Sequence, residues 1–479
     1  GSEMCIRDRV VKRWHREHYS SDRMHLVLYS SLSLDQLEQL VTTAFSSIPN
    51  NEYFSPPIGQ TVMSAEQLGS IIYLEPIQRK KQIGFTWELP EELVNDNTHS
   101  AELLAYILKS RAPNSLFEYL QKDELIENIS ANILRLSKNQ ALFQLDIYAT
   151  QKGINEISSL IKQTFAVLES LQQSSIPQSL FQELKALTTL KYSYQHRTSA
   201  FTYVMKHAED LLYEALSTYP ERTVLASEYN PEQIDKLLSH LKLSNCLTMV
   251  IAPESLTGVT PTHREKWLGG RYSIDKLDLP PTSKSRVVAK NTGIPIDNSF
   301  LPKKLQLTTF DSDPLLHPCW DAKLLSRDKS GVLYFLQDKY YLTPKVACYF
   351  GIKMPTLNPS PYSHMLFDLL LISLEEELAP IMYQAKNAGI KLEAAVKDLQ
   401  LQIIVQGYSD KIDELVISAF DTLTNISISS EKFVHNKEKL LQSYYNRTER
   451  LPIFLSQEVV SHILYPDSHR TSHLISKKK

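Results

Sequence analysis

Two stretches of the sequence decide the fold: Gly84-Phe-Thr-Trp-Glu-Leu-Pro90 and Tyr349-Phe-Gly-Ile-Lys-Met-Pro355. In each stretch apolar residues alternate with other residues, which is the pattern of a β-strand that buries one face. A polar loop and a histidine, His99 or His364, then precede a helical pattern. The two stretches and the two histidines are both separated by 265 residues. The equal separation indicates that one structural unit occurs twice in the chain.

The similarity continues through the rest of each unit, where an alternating run precedes a helical run. In the first copy these runs are Phe143, Leu145, Ile147 and Ala149, then Ile157, Leu160, Ile161, Phe165 and Leu168. In the second copy they are Leu399, Leu401, Ile403 and Val405, then Ile412, Leu415, Val416, Ala419 and Phe420. A period this long excludes a solenoid. We therefore predict an α+β fold of duplicated two-layer domains, each a mostly antiparallel sheet packed with amphipathic helices.

The chain has 479 residues, which exceeds the roughly 250–300 residues at which one hydrophobic core usually stops growing. At least two domains are therefore expected. Between the two copies, residues 279–314 have few periodic apolar positions and carry Pro280, Pro281, Pro295, Pro302 and Pro314. This composition predicts an extended interdomain linker.

The segment before the first copy has its own signals. Met24–Tyr29 is a short apolar run with strand character, and a helical pattern follows from Leu34 to Phe45. Ser33 and Gln36 have the spacing of a capping box at the start of that helix. Residues 1–11 have neither an apolar signal segment nor a periodicity that continues into the next residues, so we expect a non-native or unstructured leader.

The composition is that of an ordinary globular protein, with 42% hydrophobic residues, 22% charged residues and a formal charge of −3. This charge predicts no nucleic-acid partner. The longest apolar run, Leu366–Leu374, is interrupted by Asp368 and is too short for a membrane span. We expect a soluble protein, periplasmic or cytoplasmic, without a signal that decides between the two.

Several strings, in this order along the chain, resemble the insulinase (pitrilysin) family of peptidases. The end of that family's first domain is similar to Trp14-His-Arg-Glu-His-Tyr-Ser-Ser-Asp-Arg-Met24. The end of the second domain is similar to His263-Arg-Glu-Lys-Trp-Leu-Gly-Gly-Arg-Tyr272. Four further strings resemble parts of the family's third domain, namely Phe300-Leu-Pro302, Gln337–Lys345, Asn387–Ile390 and Gln406–Lys411. The resemblance covers nearly the whole chain from about Lys12.

Members of this family have four related α+β domains in two halves that close round a chamber, with a His-x-x-Glu-His zinc helix in the first domain. The resemblance implies that residues 12–60 are the C-terminal part of domain one. It makes residues 61–278 domain two, 279–314 the linker and 315–479 a truncated domain three. The zinc helix would lie upstream of this chain, so we assign no catalytic residue and no metal ligand within it.

The resemblance also implies a function for the parent polypeptide, a zinc metalloendopeptidase that degrades or processes peptides in an enclosed chamber. This part would form chamber wall and substrate-binding surface, and alone it should be inactive. Its partners would be peptide substrates and the missing domains of the same polypeptide. The alternative hypothesis is a non-catalytic insulinase-like scaffold or assembly subunit.

Two sequences come close to the zinc motif and depart from it. His15-Arg-Glu-His18 spaces its histidines by three residues instead of four, and its alignment with the family places it before a strand. His435-Asn-Lys-Glu-Lys439 carries a lysine where the second ligand would be, so a solvated helix face is the better interpretation. His99 and His364 open equivalent helices, and we favour a role in the start of those helices over paired metal ligands.

The family's second domain binds the N-terminal end of the substrate at a glycine-rich segment, by main-chain hydrogen bonds to a sheet edge. The matching stretch here is Lys109–Leu116, with Ala112 and Asn114 in place of glycines. These larger residues make the binding role doubtful and favour the scaffold alternative. If the surface is retained, its predicted substrate-binding residues are Ser110, Ala112, Asn114, Ser115, Ile133 and Leu134, the last two on a strand from about 133 to 136.

Overall fold

The computed structural model describes most of the chain, namely residues 2–52, 61–78, 80–195, 198–226, 228–279, 288–305, 307, 322–338, 342–354, 360–397, 400–465 and 471–476. Linker residues Pro280, Pro281 and Pro314 therefore lie outside the described residues, as does Leu399 of the second alternating run. Within the described part, no helix is long and apolar enough to cross a membrane.

The N-terminal segment consists of two helices, α1 (Ser2–His18) and α2 (Leu34–Phe45), joined by a 3₁₀ turn at Ser21–Arg23 and extended chain. Residues 2–11 of the expected non-native or unstructured leader are helical and belong to α1. The apolar run Met24–Tyr29 forms no strand, because no strand among the described residues lies beside it to pair with it. The capping box of α2 is confirmed, since Ser33 and Gln36 exchange both hydrogen bonds.

This segment has almost no core of its own. Among residues 8–52, Ser20 is the one buried residue. Its hydroxyl accepts a hydrogen bond from Asn51 N at 2.9 Å and donates one to Pro49 O at 3.3 Å. Apolar side chains remain in solvent, and Leu34 is 83% exposed. The segment is therefore held by local hydrogen bonds rather than by burial.

The first copy of the unit is built on a seven-stranded sheet with β1 (Ser70–Leu74), β2 (Gln82–Glu88), β3 (Ile126–Ser137), β4 (Gln140–Ala149), β5 (Cys246–Ile251), β6 (His263–Arg264) and β7 (Arg271–Lys276). The strand order is β3-β4-β2-β5-β1-β7-β6, and all pairs are antiparallel except β1 with β5. The sheet edges are β3 and β6.

Helices cover this sheet, and their bounds are α3 (Glu91–Val94), α4 (Ser100–Leu108), α5 (Leu116–Gln121), α6 (Gln151–Asn155), α7 (Ile157–Gln173), α8 (Gln178–Ser193), α9 (Ala200–Asp210), α10 (Pro231–His240) and α11 (Glu254–Thr257), with a 3₁₀ turn at Leu243–Asn245. The inward side chains of β2, Phe85 and Trp87, are completely buried and contact Phe165 of α7. The Trp87 indole donates to Lys242 O at 2.9 Å, so its polar group is satisfied.

The second copy contains a separate hairpin, β8 (Lys323–Arg327) with β9 (Val332–Phe335), and a three-stranded sheet of β10 (Lys345–Lys353), β11 (Lys391–Lys397) and β12 (Gln400–Tyr408). Its helices are α12 (Pro361–Asn387), α13 (Ile412–Asn425), α14 (Ser430–Thr448), α15 (Pro452–Leu464) and α16 (Thr471–Ser476). The order β11-β12-β10 repeats the order β3-β4-β2. The predicted α+β fold is confirmed, and the repeated order agrees with the duplication.

The linker, which the proline pattern predicts to be an extended interdomain segment, packs against both copies in its described part. Residues 288–301 pack on both cores: Ile294 contacts the first, and the buried Phe300 belongs to the second together with Tyr106 and Leu187 of the first copy. Gly293 has φ +98°, and a Cβ there would lie 2.6 Å from Val167 Cγ1. A glycine at this point lets the linker lie directly on α7.

Candidate peptide-binding surface

The segment predicted to bind substrate is a loop between α4 and α5. Four residues of Lys109–Leu116 are buried, namely Ser110, Ala112, Ser115 and Leu116, the last being the first residue of α5. The Ser110 hydroxyl accepts from Ala112 N at 3.2 Å, and the Ser115 hydroxyl accepts from Glu118 N at 3.2 Å as the N-cap of α5. The side chains of these residues thus hold the loop and its helix in place, and Asn114 is the exposed member of the group.

Asn114 occupies the conformation for which a glycine was expected. Its φ is +65°, in the left-handed region that asparagine tolerates better than most residues. Its backbone N–H donates to Glu118 Oε2 at 2.7 Å. Its side-chain amide donates to Asn291 O at 2.9 Å and to Ile294 O at 2.8 Å. The substitution of glycine therefore preserves the backbone of the loop and adds a connection to the linker.

Backbone N–H groups of the linker also donate hydrogen bonds to the loop. Gly293 N donates to Asn114 O at 2.9 Å, and Ile296 N donates to Pro113 O at 3.3 Å. Two carbonyl oxygens of the loop are therefore engaged within the chain. Main-chain recognition at this surface must then rely on other backbone groups, of which the nearest regular set is on β3.

Strand β3 is an edge strand of the seven-stranded sheet. Its regular pairing with β4 runs from Asn128 to Arg135, with register shifts at both ends of that segment. Ile133 is half-buried, whereas Leu134 faces the other way and is 42% exposed. An edge strand with a regular ladder on one side offers its remaining backbone N–H and C=O groups to an added strand.

Arg111 connects the loop to this strand and to the second copy. Its Nη2 donates to Asn128 Oδ1 of β3 at 2.5 Å. The guanidinium lies 4.8 Å from the centroid of the Phe117 ring and 5.8 Å from that of Tyr383 in α12. Arginine stacked on aromatic rings keeps its charge while its planar faces are covered. The loop, β3 and α12 are thereby held in one arrangement.

A buried polar cluster lies beneath the loop, at the contact between the two copies. The Tyr106 hydroxyl donates to Glu183 of α8, and Glu183 Oε2 also accepts from Asn298 N at 2.8 Å. The Asn298 side chain donates to Gln384 O of α12 at 2.8 Å. Burial raises the pKa of Glu183 in spite of these two donors. The cluster encloses a cavity of about 10 Å³, close to the volume that one water requires.

The two imperfect zinc motifs do not fit a metal. His15 and His18 lie on the exposed helix α1, not before a strand as the alignment predicted. The His15 ring stacks on Tyr19 at 4.4 Å, and the His18 ring stacks on Trp14 at 4.6 Å, so the two rings do not converge. Glu438 and its neighbours are exposed on α14, which agrees with the solvated helix face.

Across the described residues, no group of three or more His, Cys, Asp or Glu side chains could hold a metal ion. The pair of repeat histidines differs between the copies. His99 is the N-cap residue of α4, in the left-handed conformation, whereas His364 lies inside the first turn of α12, 3.9 Å from Asp368.

Sequence reasoning missed the contacts that join the loop to the linker and to α12. Asn114 and Ile294 are 180 residues apart in sequence, and no pattern in either segment indicates that they meet. Arg111 lies within the quoted stretch, but a charged residue between two small ones carries no sign that it stacks on Tyr383. Only the packing of the two copies brings these groups together.

Comparison with known proteins agrees with this duplicated α+β architecture. Residues 9–188 match the family profile described as "Peptidase M16 inactive domain", and residues 192–477 match "Middle or third domain of peptidase_M16". The second match alone covers more than half of the chain. The protein belongs to the M16 peptidase family.

The relatives are much longer than this chain. Insulin-degrading enzyme-like 1, peroxisomal, of Arabidopsis thaliana is 23% identical over 460 residues, which are 96% of this chain and 47% of that protein. Nardilysin of Rattus norvegicus is 24% identical over 449 residues, covering 91% and 38%. The crystal structure of pitrilysin has the same fold, with a TM-score of 0.67, 18% identity and coverage of 98% of this chain and 50% of that one. The chain thus spans half or less of these proteins.

Proposed function

We propose that this chain is part of a zinc metalloendopeptidase that degrades or processes peptides in a chamber, and that it supplies chamber wall and peptide-binding surface. The zinc site would lie outside the chain. The chain belongs to the M16 family, and one structural observation supports a peptide-binding role for it. Among the described residues β3 has no strand on its outer side, and it lies next to the loop 109–116. Such an edge can receive an extended peptide.

The binding mode follows from the geometry of β3. A peptide added to this edge would form main-chain hydrogen bonds along the regular segment Asn128–Arg135. Because side chains alternate across a strand, Asn132 and Leu134 would contact one face of the peptide and Ile133 the other. The loop would not supply the carbonyls of Pro113 and Asn114, which the linker occupies.

Asn114 bears on the alternative, a non-catalytic scaffold. That hypothesis drew support from the larger residues in place of glycine. Asn114 keeps the left-handed backbone with φ +65°, so the change does not by itself distort the surface. We therefore prefer the peptidase. In this proposal Asn114, Ile133 and Leu134 contact the peptide. The buried residues Ser110, Ala112 and Ser115 hold the loop in the conformation that binding requires.

Peptide binding tests the surface directly on the 479-residue chain. An uncharged, end-capped fluorescent peptide of about ten residues, rich in valine and threonine, suits an edge strand. Leu134→Asp should weaken its binding, measured by fluorescence anisotropy, about fivefold or more because it places an unpaired charge in the interface. Ile274→Asp is the matched control, since Ile274 is 50% exposed on the interior strand β7.

Equal binding by the wild-type chain and Leu134→Asp would exclude the edge of β3 as the binding site.

The location of the zinc site has its own test. Metal analysis of the purified chain should find far less than one zinc per chain. Peptide cleavage that a chelator blocks would overturn this assignment. A His-x-x-Glu-His sequence upstream in the same gene would support the enzyme, and the same helix with its ligands replaced would favour the scaffold.

A further inference from the structure

A second cavity, of about 280 Å³, lies at the far end of β3. It is bounded by the N-terminal end of α4, by the strand residues Ile133 and Arg135, and by the segment from Glu209 to Thr223. Its apolar wall includes Leu93. The cavity is distinct from the loop 109–116, which contributes none of its lining residues, and its volume is close to that of known small-molecule sites.

The carboxylates around this cavity already have partners. Asp96 accepts from Thr98 N at 2.9 Å and from Ser100 N at 3.1 Å. Glu102 Oε2 is 3.7 Å from His99 Nδ1. Asp210 Oδ2 accepts from Lys206 Nζ at 3.0 Å and from the Tyr219 hydroxyl at 3.1 Å. Glu209 is the remaining lining carboxylate, and it is exposed to solvent.

The donors around the cavity, by contrast, have unused capacity. His99 is more than nine-tenths buried, and its Nε2 has no hydrogen-bond partner in the part of the chain that the structure describes. A guanidinium has five N–H donors. Arg135 Nη2 donates to Val94 O at 2.7 Å, and Arg222 Nε donates to Asn97 Oδ1 at 2.6 Å, which leaves further N–H groups on both residues.

His99 is held so that Nε2 is the free atom. Its backbone has φ +57°, and its Nδ1 is directed to Glu102. Burial alone lowers the pKa of His99, but the nearby carboxylate of Glu102, with the charge of Asp96, outweighs it, so the pKa is raised. Below this raised pKa the ring is protonated and presents Nε2–H as a donor. A buried donor without an acceptor costs free energy that a bound ligand would recover.

We propose that this cavity binds a carboxylate, held by His99 Nε2, Arg135 and Arg222. The arrangement combines one imidazole donor with two guanidinium groups, which pair well with planar anions. Leu93 and Ile133 provide room for a short aliphatic chain beside the charged group. The carboxylate belongs either to a small free acid or to a peptide. The site does not depend on strand addition to β3.

Binding of chosen carboxylates to the 479-residue chain tests the site, with isothermal titration calorimetry as the readout. The probes are succinate, an acetylated tripeptide ending in a free leucine carboxylate, and the same tripeptide as its amide. We expect succinate or the free-acid peptide to bind, and the amide to bind at least about tenfold more weakly. The carboxylate probe that binds identifies the source of the group, and binding by both supports the site equally.

Variants of two donors make the assignment specific. His99→Asn removes Nε2 and suits the left-handed backbone, and Arg222→Gln changes an exposed side chain. Each should weaken carboxylate binding about tenfold, whereas the exposed control Arg450→Gln should leave it unchanged. Thermal melting of each variant checks that the fold is intact. Absence of binding to the wild-type chain up to about 10 mM, or binding by both variants as tight as that by the wild-type chain, would overturn the proposal.

The outcome is separable from the test of the β3 surface. Leu134→Asp leaves the three donors of the cavity in place, and His99→Asn leaves the β3 edge in place. Loss of peptide binding in Leu134→Asp with unchanged succinate binding would locate the two sites independently. Loss of carboxylate binding in His99→Asn with unchanged binding of the uncharged peptide would likewise show that the two sites are independent.

Discussion

The two copies of the unit share the order of three strands, β3-β4-β2 and β11-β12-β10, and they differ in the helical region that follows β2 and β10. In the first copy the helix is broken, so that α4 and α5 are separated by the loop 109–116. At the same offset in the second copy, residues 374–381 lie inside α12, which continues for 27 residues. Duplication keeps the sheet, while the break in one helix creates a loop. The candidate surface is at the point where the copies diverge.

The divergence also changes what the surrounding residues do. In α12 the residues at this position, such as Leu374 and Leu378, are buried core residues of a continuous helix. In the first copy the loop carries a helix cap at Ser115, a left-handed residue at Asn114 and a stacked arginine at Arg111. Each of these supplies a hydrogen bond or contact that a continuous helix would supply through its own backbone.

The largest expected effect tests whether the first copy has the stronger core. Trp87→Ala should destabilise the first copy by about 3–5 kcal/mol, because it removes a completely buried indole. Ile352, at the same offset in the second copy, is only half-buried, and Ile352→Ala should cost about 1–2 kcal/mol. Urea unfolding followed by hydrogen exchange at β2 and β10 measures each copy separately. Equal costs would contradict this difference between the cores.

An intermediate effect is expected at the loop. Asn114→Leu should cost about 2–4 kcal/mol, since it loses two side-chain hydrogen bonds and places leucine in the left-handed region. Asn114→Gly keeps the backbone and should cost about 1–2 kcal/mol. Both should increase hydrogen exchange in linker residues 291–296.

The matched control for the loop is Ala379→Gly, at the same offset inside α12. It should cost about 1 kcal/mol through helix propensity and should leave exchange of the linker amides unchanged. If Ala379→Gly exposes the linker as much as Asn114→Gly does, then the linker responds to stability in general and not to the loop.

The smallest effect concerns the two repeat histidines and pH. Burial and the charge of Arg135 lower the pKa of His99, but Glu102 and Asp96 outweigh them and raise the folded pKa above 6.5, so protonation of His99 stabilises the fold. This stabilisation is fully present below about pH 6.5. It is lost as the pH rises through the raised folded value. His99→Asn should therefore flatten the decrease in melting temperature that the wild-type chain shows as the pH rises above about 6.5.

His364→Asn is the control for that experiment, as the equivalent change in the second copy. A flattened profile in His364→Asn together with an unchanged one in His99→Asn would assign the titration to the wrong copy and refute the prediction.

Much of the fold could be predicted from periodicity, because the alternating strands at Gly84 and Tyr349 and the amphipathic helices after them bury one face each. The capping box at Ser33 was equally readable, since it depends on residues three apart. The run Met24–Tyr29 was misread because strand propensity needs a neighbouring strand. The helix of residues 2–11 was missed because the first residues have no apolar periodicity.

The candidate site was less predictable than the fold. Ile133 and Leu134 were named as binding residues only if their strand lies at a sheet edge. Periodicity could not decide this, because strand order depends on contacts between residues far apart in sequence. The engagement of Pro113 and Asn114 with the linker depends on groups that are about 180 residues away. The prolines indicated an extended interdomain linker. They did not indicate that Gly293 would lie against α7 of the first copy or that Phe300 would be part of the second core.

The connection between Asn114 and the linker has a mechanical consequence. Linker residues 291–296 are bound to the loop by four hydrogen bonds, and Phe300 a few residues later is part of the second core. A displacement of the second copy relative to the first would therefore be transmitted to the backbone of the loop through these four hydrogen bonds.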